Sequence, residues 1–202
     1  MLTFYHSKGS CSDGILYLLH ELGAEFTLNT ITLAKGDGQT PEFKAMNPKG
    51  KVPALVLDDG QTLTEFPVIA QYLARSHPEA GLWPEDMMAQ MRLQEMLDYL
   101  IATVHMRAFT FVLVPKRFHP DEAMQADLAT YGRAEIAKGF EVLSATMGDR
   151  DYLLGDFSIA DTALFFLLNW ADRLEVPVPG NLKACHDRLK ARPAHAAMMA
   201  EA

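Results

Sequence analysis

The order of strand-like and helix-like segments constrains the fold of this chain most strongly. Four segments have strand patterns: 2–5, 26–33, 54–57 and 61–64. Three segments between and after them have helical patterns: 13–23, 41–46 and 65–76. Asp58-Asp59-Gly60, which separates the last two strands, is typical of a hairpin turn. The resulting β-α-β-α-β-β-α order predicts a compact α/β domain over residues 1–78.

Beyond this domain the strand patterns stop. After a linker at 79–86, the sequence predicts an all-α domain over 87–202, with a long helix at 85–114 at its start. Ser158 and Asp161 have the spacing of a capping box. The helix that follows is apolar nearly all round, which indicates a central buried helix. The predicted fold class is therefore α/β plus all-α.

Composition excludes several classes of function. The 202 residues carry a net charge of −8, which gives no footprint for binding nucleic acid or an anionic membrane. The polar start does not match a signal peptide, and the longest apolar run, 163–168, is too short to span a bilayer. Two cysteines, Cys11 and Cys185, provide neither a disulfide framework nor a multi-cysteine metal site. We expect a cytoplasmic protein without a metal, a nucleic-acid partner or a membrane partner.

One stretch, Asn47 to Leu57, reads Asn-Pro-Lys-Gly-Lys-Val-Pro-Ala-Leu-Val-Leu. Pro53 stands where a strand would begin, and an X-Pro bond there is a candidate for a cis peptide. We expect such a bond to turn the backbone N–H and C=O of Val52 outward, toward an extended ligand. The alternative is an ordinary loop that leads into a strand.

A second group of candidates surrounds the start of the first helix. Cys11 lies between Ser10 and Ser12 at that helix N-terminus, which would lower the pKa of its thiol. The serine hydroxyls can donate to this sulfur or to the sulfur of a ligand. The alternative is that Cys11 packs as a small residue under the turn. Tyr5 would place a phenol nearby, or else it faces the core.

Two further groups carry charge. Thr64 is a possible N-cap of the helix that begins at Glu65, and the N-terminal N–H groups of this helix can meet a carboxylate. Glu65 offers a carboxylate to an ammonium, so that the helix N-terminus and Glu65 together suit a zwitterionic amino-acid end. Stabilisation of the helix dipole explains Glu65 equally well. Asp98 and His105 are seven residues apart, which places them on one face of an α-helix.

Taken together, these segments resemble the glutathione S-transferase family across essentially the whole chain. Four segments carry the resemblance: Asn47 to Leu55, Leu63-Thr-Glu65, Gln71-Tyr-Leu-Ala74 and Phe157-Ser-Ile-Ala-Asp161. The resemblance implies a thioredoxin-like N-terminal domain, an all-helical C-terminal domain, a cis peptide before Pro53 and a homodimer. Gly9-Ser-Cys-Ser12 is most similar to the bacterial beta class, in which a cysteine near glutathione can form a mixed disulfide with it.

The resemblance also implies roles in holding glutathione. The backbone of Val52, beside Pro53, would pair with the cysteinyl part of the ligand. Glu65 and the N–H of Phe66 would hold the γ-glutamyl end, although the family usually has Ser or Gly at that second position. The glycine carboxylate would meet two lysines, Lys35 and Lys51.

Other residues would surround the reacting atoms. The resemblance places Cys11, Ser10 and Tyr5 around the thiol. His105 and Arg107 would face the electrophile, and Asp98 would replace an Asn of the beta class. A register shifted by one residue instead puts Met106 at the His position and Arg107 at the Lys position of that class.

The expected function is conjugation of glutathione, a co-substrate, to small apolar electrophiles in detoxification. Thiol-disulfide exchange at Cys11 is a further expectation. Two alternatives remain open: a non-catalytic module of the same fold that binds partners, and a glutathione-dependent isomerase.

Overall fold

The computed structural model describes residues 1–201. Within this range the chain forms two compact units, one made of Met1–Pro84 with the residues from Lys190 onward, the other of Glu85–Leu189. The last helix therefore belongs to the first unit, and the limits 1–78 and 87–202 stay a prediction.

The first unit contains a mixed four-stranded sheet in the order β2-β1-β3-β4 within residues 1–201. Its strands are β1 (Leu2–His6), β2 (Phe26–Thr30), β3 (Ala54–Val56) and β4 (Thr62–Thr64). β1 runs parallel to β2 and antiparallel to β3, and β3 runs antiparallel to β4. β2 ends earlier than predicted because Leu33–Lys35 folds into a 3₁₀ turn, which Gly36 closes at φ 88°.

Three helices follow the strands as predicted: α1 (Ser12–Glu21), α2 (Pro41–Met46) and α3 (Phe66–Ser76). α1 packs against α3. Side chains alternate along β1, since Phe4 and His6 are buried while the ring of Tyr5 meets Phe43 of α2 edge-on at 5.6 Å. Tyr5 and His6 therefore lie on opposite faces of the sheet.

The end of the chain is anchored in the first unit. The C-terminal helix Pro193–Glu201 packs against α1. Just before it, Arg192 pairs with Glu21 through two nitrogens, and His20 Nε2 lies 3.1 Å from a carboxylate oxygen of Glu201. Paired side chains at both ends thus hold this helix in place.

The second unit is built from helices: α4 (Met87–Asp98), α5 (Thr110–Leu113), α6 (Glu122–Met147), α7 (Ile159–Leu174) and α8 (Gly180–Lys190). α9 is the C-terminal helix of the first unit. The capping box predicted for Ser158 and Asp161 is present at the start of α7. This helix is buried along nearly its whole length, which confirms the predicted central helix.

The long helix predicted at 85–114 has an unexpected middle. Between α4 and α5, residues Tyr99–Phe109 form a π-helix with i→i+5 hydrogen bonds. By length and composition the whole run Met87–Leu113 is apolar enough to cross a bilayer. Its residues Leu97, Leu100 and Val104 are fully buried in the unit, as in a core helix.

Candidate functional site

Cys11 and the Val52–Pro53 bond meet at the start of α1. Cys11 is the N-cap residue of this helix, and its Sγ lies 3.7 Å from the carbonyl oxygen of Val52, to which it donates. The Val52–Pro53 peptide bond is cis. Lys51 and Glu65 are close enough to shift the pKa of Cys11 in opposite directions. One region of the first unit thus brings together Cys11, Val52, Glu65 and Lys51.

The acidity predicted for Cys11 is wrong. Burial raises the pKa of its thiol to about 12, and the negative charge of Asp13 raises it further. The helix N-terminus does not compensate, because desolvation penalises the thiolate more strongly. In the free protein at neutral pH, Cys11 is a thiol that donates to Val52.

This protonation state has a chemical consequence. We expect iodoacetamide at pH 7.5 to alkylate Cys11 more than tenfold more slowly in the folded protein than in the urea-unfolded chain, because the thiolate is the nucleophile. Raising the pH should speed the folded reaction up to about pH 12. Peptide mass spectrometry of quenched samples measures this rate. Equal rates in the two states would contradict the raised pKa.

The loop before Pro53 is organised by a residue to which the sequence analysis gave no role. Asn47 is 2% exposed, and its amide nitrogen donates to the carbonyl of Lys51 at 2.7 Å. Its side-chain oxygen accepts from the backbone N–H of Lys49 at 3.2 Å. Asn47 therefore fixes the backbone that leads into Val52. A buried amide within an Asn-Pro-Lys-Gly turn is the signal that could have revealed it.

Glu65 is held in an unusual conformation at the start of α3. Its φ of 73° is rare for a residue with a side chain, and such strain persists where the surroundings enforce it. Lys49 Nζ donates to its carboxylate at 2.6 Å and to the Thr64 hydroxyl at 2.7 Å. The predicted cap by Thr64 is wrong, since Glu65 is the N-cap residue. The pairing with Lys49 was not foreseen.

The remaining candidates of the first unit divide by burial. The ring of Phe66 is 3% exposed, so this first residue of α3 offers its backbone and not its side chain. Lys35, in the 3₁₀ turn, and Lys51 are exposed. Tyr5 packs against Phe43, on the sheet face opposite His6, and is not part of the hydrogen-bonded group at α1.

The hydrogen-bonded group at the start of α1 is a chain of three side chains. Ser10 Oγ lies 2.7 Å from Ser12 Oγ, which in turn lies 2.8 Å from Nδ1 of His6. His6 is 2% exposed, and burial, together with the charge of Lys8, lowers its pKa to about 4 against a hydrogen bond to Ser12. His6 is therefore neutral at physiological pH. Ser10 was a predicted site residue, whereas His6 was not.

The helical unit carries the remaining candidates. His105 lies in the π-helix, with its ring edge-on to Phe166 at 5.5 Å and to Trp170 at 5.0 Å. Asp98 is exposed and accepts from Gln94 at 3.0 Å. The prediction that Asp98 and His105 share a face assumed 3.6 residues per turn, and a π-helix holds more. That prediction is wrong.

The next two residues of the π-helix after His105 are exposed. Met106 is 42% exposed. Arg107 is exposed as well. The choice between His105 and Met106 at the family His position stays a prediction.

Comparison with known proteins assigns both halves of the chain. Residues 9–76 match the model of the glutathione S-transferase N-terminal domain, and residues 101–193 match that of the C-terminal domain. The glutathione S-transferase GstA of Escherichia coli O157:H7 is 33% identical, over 95% of this chain and 94% of its own. A maleylacetoacetate isomerase of Pseudomonas aeruginosa is 25% identical, over 87% and 82%.

Solved structures agree in fold. A glutathione transferase homologue from Sulfitobacter with bound glutathione has a TM-score of 0.91 and 28% identity, covering 100% of this chain and 98% of that one. A beta-class glutathione S-transferase of Sphingomonas chungbukensis has a TM-score of 0.84 and 32% identity, with 98% of each chain covered. With both domain models matched and a relative 33% identical over nearly its full length, this chain belongs to the glutathione S-transferase family.

Proposed function

We propose that this protein is a glutathione transferase that conjugates glutathione to small apolar electrophiles. One observation carries the proposal: Cys11, between Ser10 and Ser12 of the hydroxyl chain at α1, contacts the Val52 carbonyl beside Pro53 and lies close enough to Glu65 for its charge to raise the pKa of the thiol. A γ-glutamyl peptide needs a partner for its ammonium and a backbone to pair with, and its thiol needs a donor. Glu65, Val52 and Ser10 supply these three in turn.

The reaction follows from these contacts. The thiol of glutathione loses its proton to solvent, and the thiolate accepts a hydrogen bond from the protein. It attacks an electrophilic carbon, so that an S–C bond forms while the leaving group departs with its electron pair. For this step we propose that His105 and Arg107, or Met106 and Arg107 in the shifted register, face the electrophile, with Asp98 replacing the Asn of the beta class.

The binding roles are proposed in the same way. The backbone N–H of Phe66 would assist Glu65 at the γ-glutamyl end, and Lys35 and Lys51 would meet the glycine carboxylate. Both lysines are exposed and so can reach a ligand in solvent. Cys11 and Tyr5 complete the proposed set of residues around the thiol.

Glu65→Gln tests the binding half of the proposal. We expect it to weaken glutathione binding roughly tenfold, because a charge-assisted hydrogen bond to the ammonium becomes a neutral one. Isothermal titration calorimetry measures the dissociation constant directly. The control is Glu79→Gln, which neutralises another exposed carboxylate of the same unit.

The outcomes separate the alternatives. Loss of affinity in Glu65→Gln alone supports the proposed site, whereas equal affinity in both variants would remove Glu65 from it. If the wild-type protein has no measurable affinity for glutathione, the transferase proposal falls and the partner-binding alternative replaces it.

The similarity to a maleylacetoacetate isomerase favours one second candidate. An isomerase returns glutathione unchanged, whereas a transferase consumes it. Incubation with an apolar chloroaromatic electrophile and, separately, with a cis-configured diketo acid distinguishes the two. Consumption of glutathione with the first supports conjugation, and isomerisation of the second without consumption supports the isomerase.

Thiol-disulfide exchange at Cys11 is a secondary activity of the proposed site. Attack by the Cys11 thiolate on oxidised glutathione forms a mixed disulfide and releases one glutathione thiolate. The raised pKa of Cys11 makes this attack slow at neutral pH. We further propose that the protein is a cytoplasmic homodimer with a role in detoxification. Sedimentation tests the oligomeric state, and cell fractionation tests the location.

A further inference from the structure

His6 is a buried histidine with no role in the reaction proposed above. It ends β1, and its side chain is 3% exposed. A buried polar ring needs hydrogen-bond partners, since leaving them unmade costs free energy. Its Nδ1 has one in Ser12, at 2.8 Å. The side-chain hydrogen bond of His6 Nδ1 therefore goes to the residue that begins α1.

Ser12 links His6 to Ser10, which lies nearer the surface. Ser12 is fully buried, and its Oγ accepts from the backbone N–H of Ser7 at 3.1 Å and meets Ser10 Oγ at 2.7 Å. The backbone N–H of Ser12 also donates to Ser10 Oγ at 3.2 Å. Ser10 is partly exposed, whereas the other two members of the chain are not. The chain His6–Ser12–Ser10 therefore runs from the core to a hydroxyl that solvent can reach.

The arrangement resembles a Ser-His-Asp triad but cannot act as one. Asp13 Oδ1 lies 3.7 Å from His6 Nε2, and the same oxygen accepts from the N–H of Gly9 at 3.1 Å. The serine next to the imidazole is fully buried, so no substrate reaches it. A second hydroxyl, that of Ser10, stands between Ser12 and solvent.

A neutral imidazole suits such a chain because either of its nitrogens can carry the proton. With the proton on Nδ1, His6 donates to Ser12. The single proton of the Ser12 hydroxyl then has two acceptors within reach, Ser10 Oγ at 2.7 Å and the carbonyl oxygen of Ser7 at 3.3 Å, and we assign it to the shorter contact with Ser10. The proton of the Ser10 hydroxyl then points outward. An anion beside Ser10 favours this orientation, since each donor then points toward it. Aligned hydrogen bonds also polarise one another.

The other candidates near the thiol are committed elsewhere. Cys11 Sγ donates to the carbonyl of Val52, and burial keeps it protonated. Tyr5 packs against Phe43 on the sheet face opposite His6, so the His6–Ser12 pair does not support its hydroxyl. Ser10 is the candidate whose hydroxyl is both partly exposed and supported from behind.

We infer that His6 is a positioning residue, which acts through Ser12 to hold the Ser10 hydroxyl as the donor to the sulfur of glutathione. The inference rests on the proposed function, which assigns Ser10 to the thiol, and adds to it the two residues that orient the Ser10 hydroxyl. His6 itself touches neither glutathione nor the electrophile. Asp13 and Lys8 are the charged groups that influence its ring.

The test measures the pKa of the bound glutathione thiol. The ultraviolet absorbance of the thiolate is recorded as the pH is raised. His6→Leu and Ser12→Ala remove the support, and His6→Asn restores a donor and an acceptor near the position of Nδ1. His186→Leu is the matched control, because it removes a histidine that is 3% exposed in the helical unit. Circular dichroism and the thermal midpoint establish that each variant is folded.

We expect His6→Leu and Ser12→Ala to raise the pKa of the bound thiol by about half a unit to one unit, the net value of one hydrogen bond. The rate near neutral pH should fall about threefold to tenfold with the dissociation constant of glutathione unchanged, and the loss should vanish at alkaline pH. His6→Asn should lie near the wild type, and His186→Leu should leave the thiol pKa unaltered.

A wild-type thiol pKa in folded His6→Leu overturns the inference, as does a His6→Asn variant that behaves like His6→Leu. If His6→Leu does not fold, Ser12→Ala decides by the same criterion. A wild-type protein that forms no thiolate with glutathione contradicts the proposed function itself, which is a different observation from an unshifted variant.

Discussion

Replacing Asp161 with alanine is expected to lower the free energy of unfolding by roughly 4 kcal/mol and the thermal midpoint by roughly 10 °C. Asp161 is fully buried at the start of α7. One carboxylate oxygen accepts from the backbone N–H of Leu153 at 3.0 Å, and the other accepts from the N–H of Ser158 at 2.9 Å and from its hydroxyl at 3.0 Å. Alanine leaves two backbone N–H groups without this acceptor, and each such loss costs about 1–3 kcal/mol.

Differential scanning fluorimetry measures the midpoint, with Asp149→Ala as the control because that carboxylate is exposed. Asp161→Asn should not restore stability, since an amide has one acceptor oxygen and would turn an N–H₂ group toward a donor. A shift below about 3 °C in Asp161→Ala, the value of one ordinary contact in a chain of this size, would mean that the capping box is not what holds α7.

The contribution of the Asp161 carboxyl to stability is expected to depend on pH. Burial raises the pKa of Asp161 to about 6, against the hydrogen bonds from Leu153 and Ser158, which lower it. A folded-state pKa above the unfolded value means that the folded state binds the proton more tightly, so the stability from this group is full below about pH 4 and is lost as pH rises through about 6. The midpoint difference between wild type and Asp161→Ala should therefore grow from pH 7 to pH 5. A difference that shrinks would mean that the hydrogen bonds outweigh burial.

Local patterns were sufficient for much of the fold. The strand and turn signals around Asp58-Asp59-Gly60 and the Ser158–Asp161 spacing each depend on residues close in sequence, and the structure has both features. The π-helix at Tyr99–Phe109 was not foreseen, because its side chains have the same apolar content as an α-helix. What distinguishes it is the hydrogen-bond register, which packing against other helices decides.

The candidate site was predictable where it depends on residues close in sequence, and not where it depends on burial or on distant partners. Cys11 was correctly placed at a helix N-terminus, but the sign of its pKa shift depends on burial, which a local sequence does not reveal. The pairing of Glu65 with Lys49 joins residues that are 16 positions apart, and it was missed. His6 escaped notice because a strand-end histidine has no sequence feature that marks it as the partner of Ser12.

Gly132→Ala is the second large effect that we expect, a loss of roughly 2 kcal/mol and roughly 5 °C in the thermal midpoint. Glycine within a helix normally costs about 1 kcal/mol relative to alanine, so propensity alone predicts a gain. Gly132 lies in α6, where an added Cβ would stand 2.8 Å from the carbonyl oxygen of Ala108, 2.9 Å from Val112 Cγ2 and 3.0 Å from Phe111 Cβ. The first of these is backbone of the π-helix, which cannot rotate away.

Gly180→Ala is the matched control, since this first residue of α8 has nothing within 4 Å of a Cβ and should be neutral or gain stability. Gly139 of α6 provides a second comparison: the nearest atom to an added Cβ there is Val104 Cγ2 at 3.0 Å, a side chain that can move. Gly139→Ala should therefore cost less than Gly132→Ala. If all three variants are equally stable, the close approach of α6 to the π-helix at Ala108 does not limit packing. If the predicted order is observed, glycine at 132 is needed because the wide π turn brings its backbone against α6.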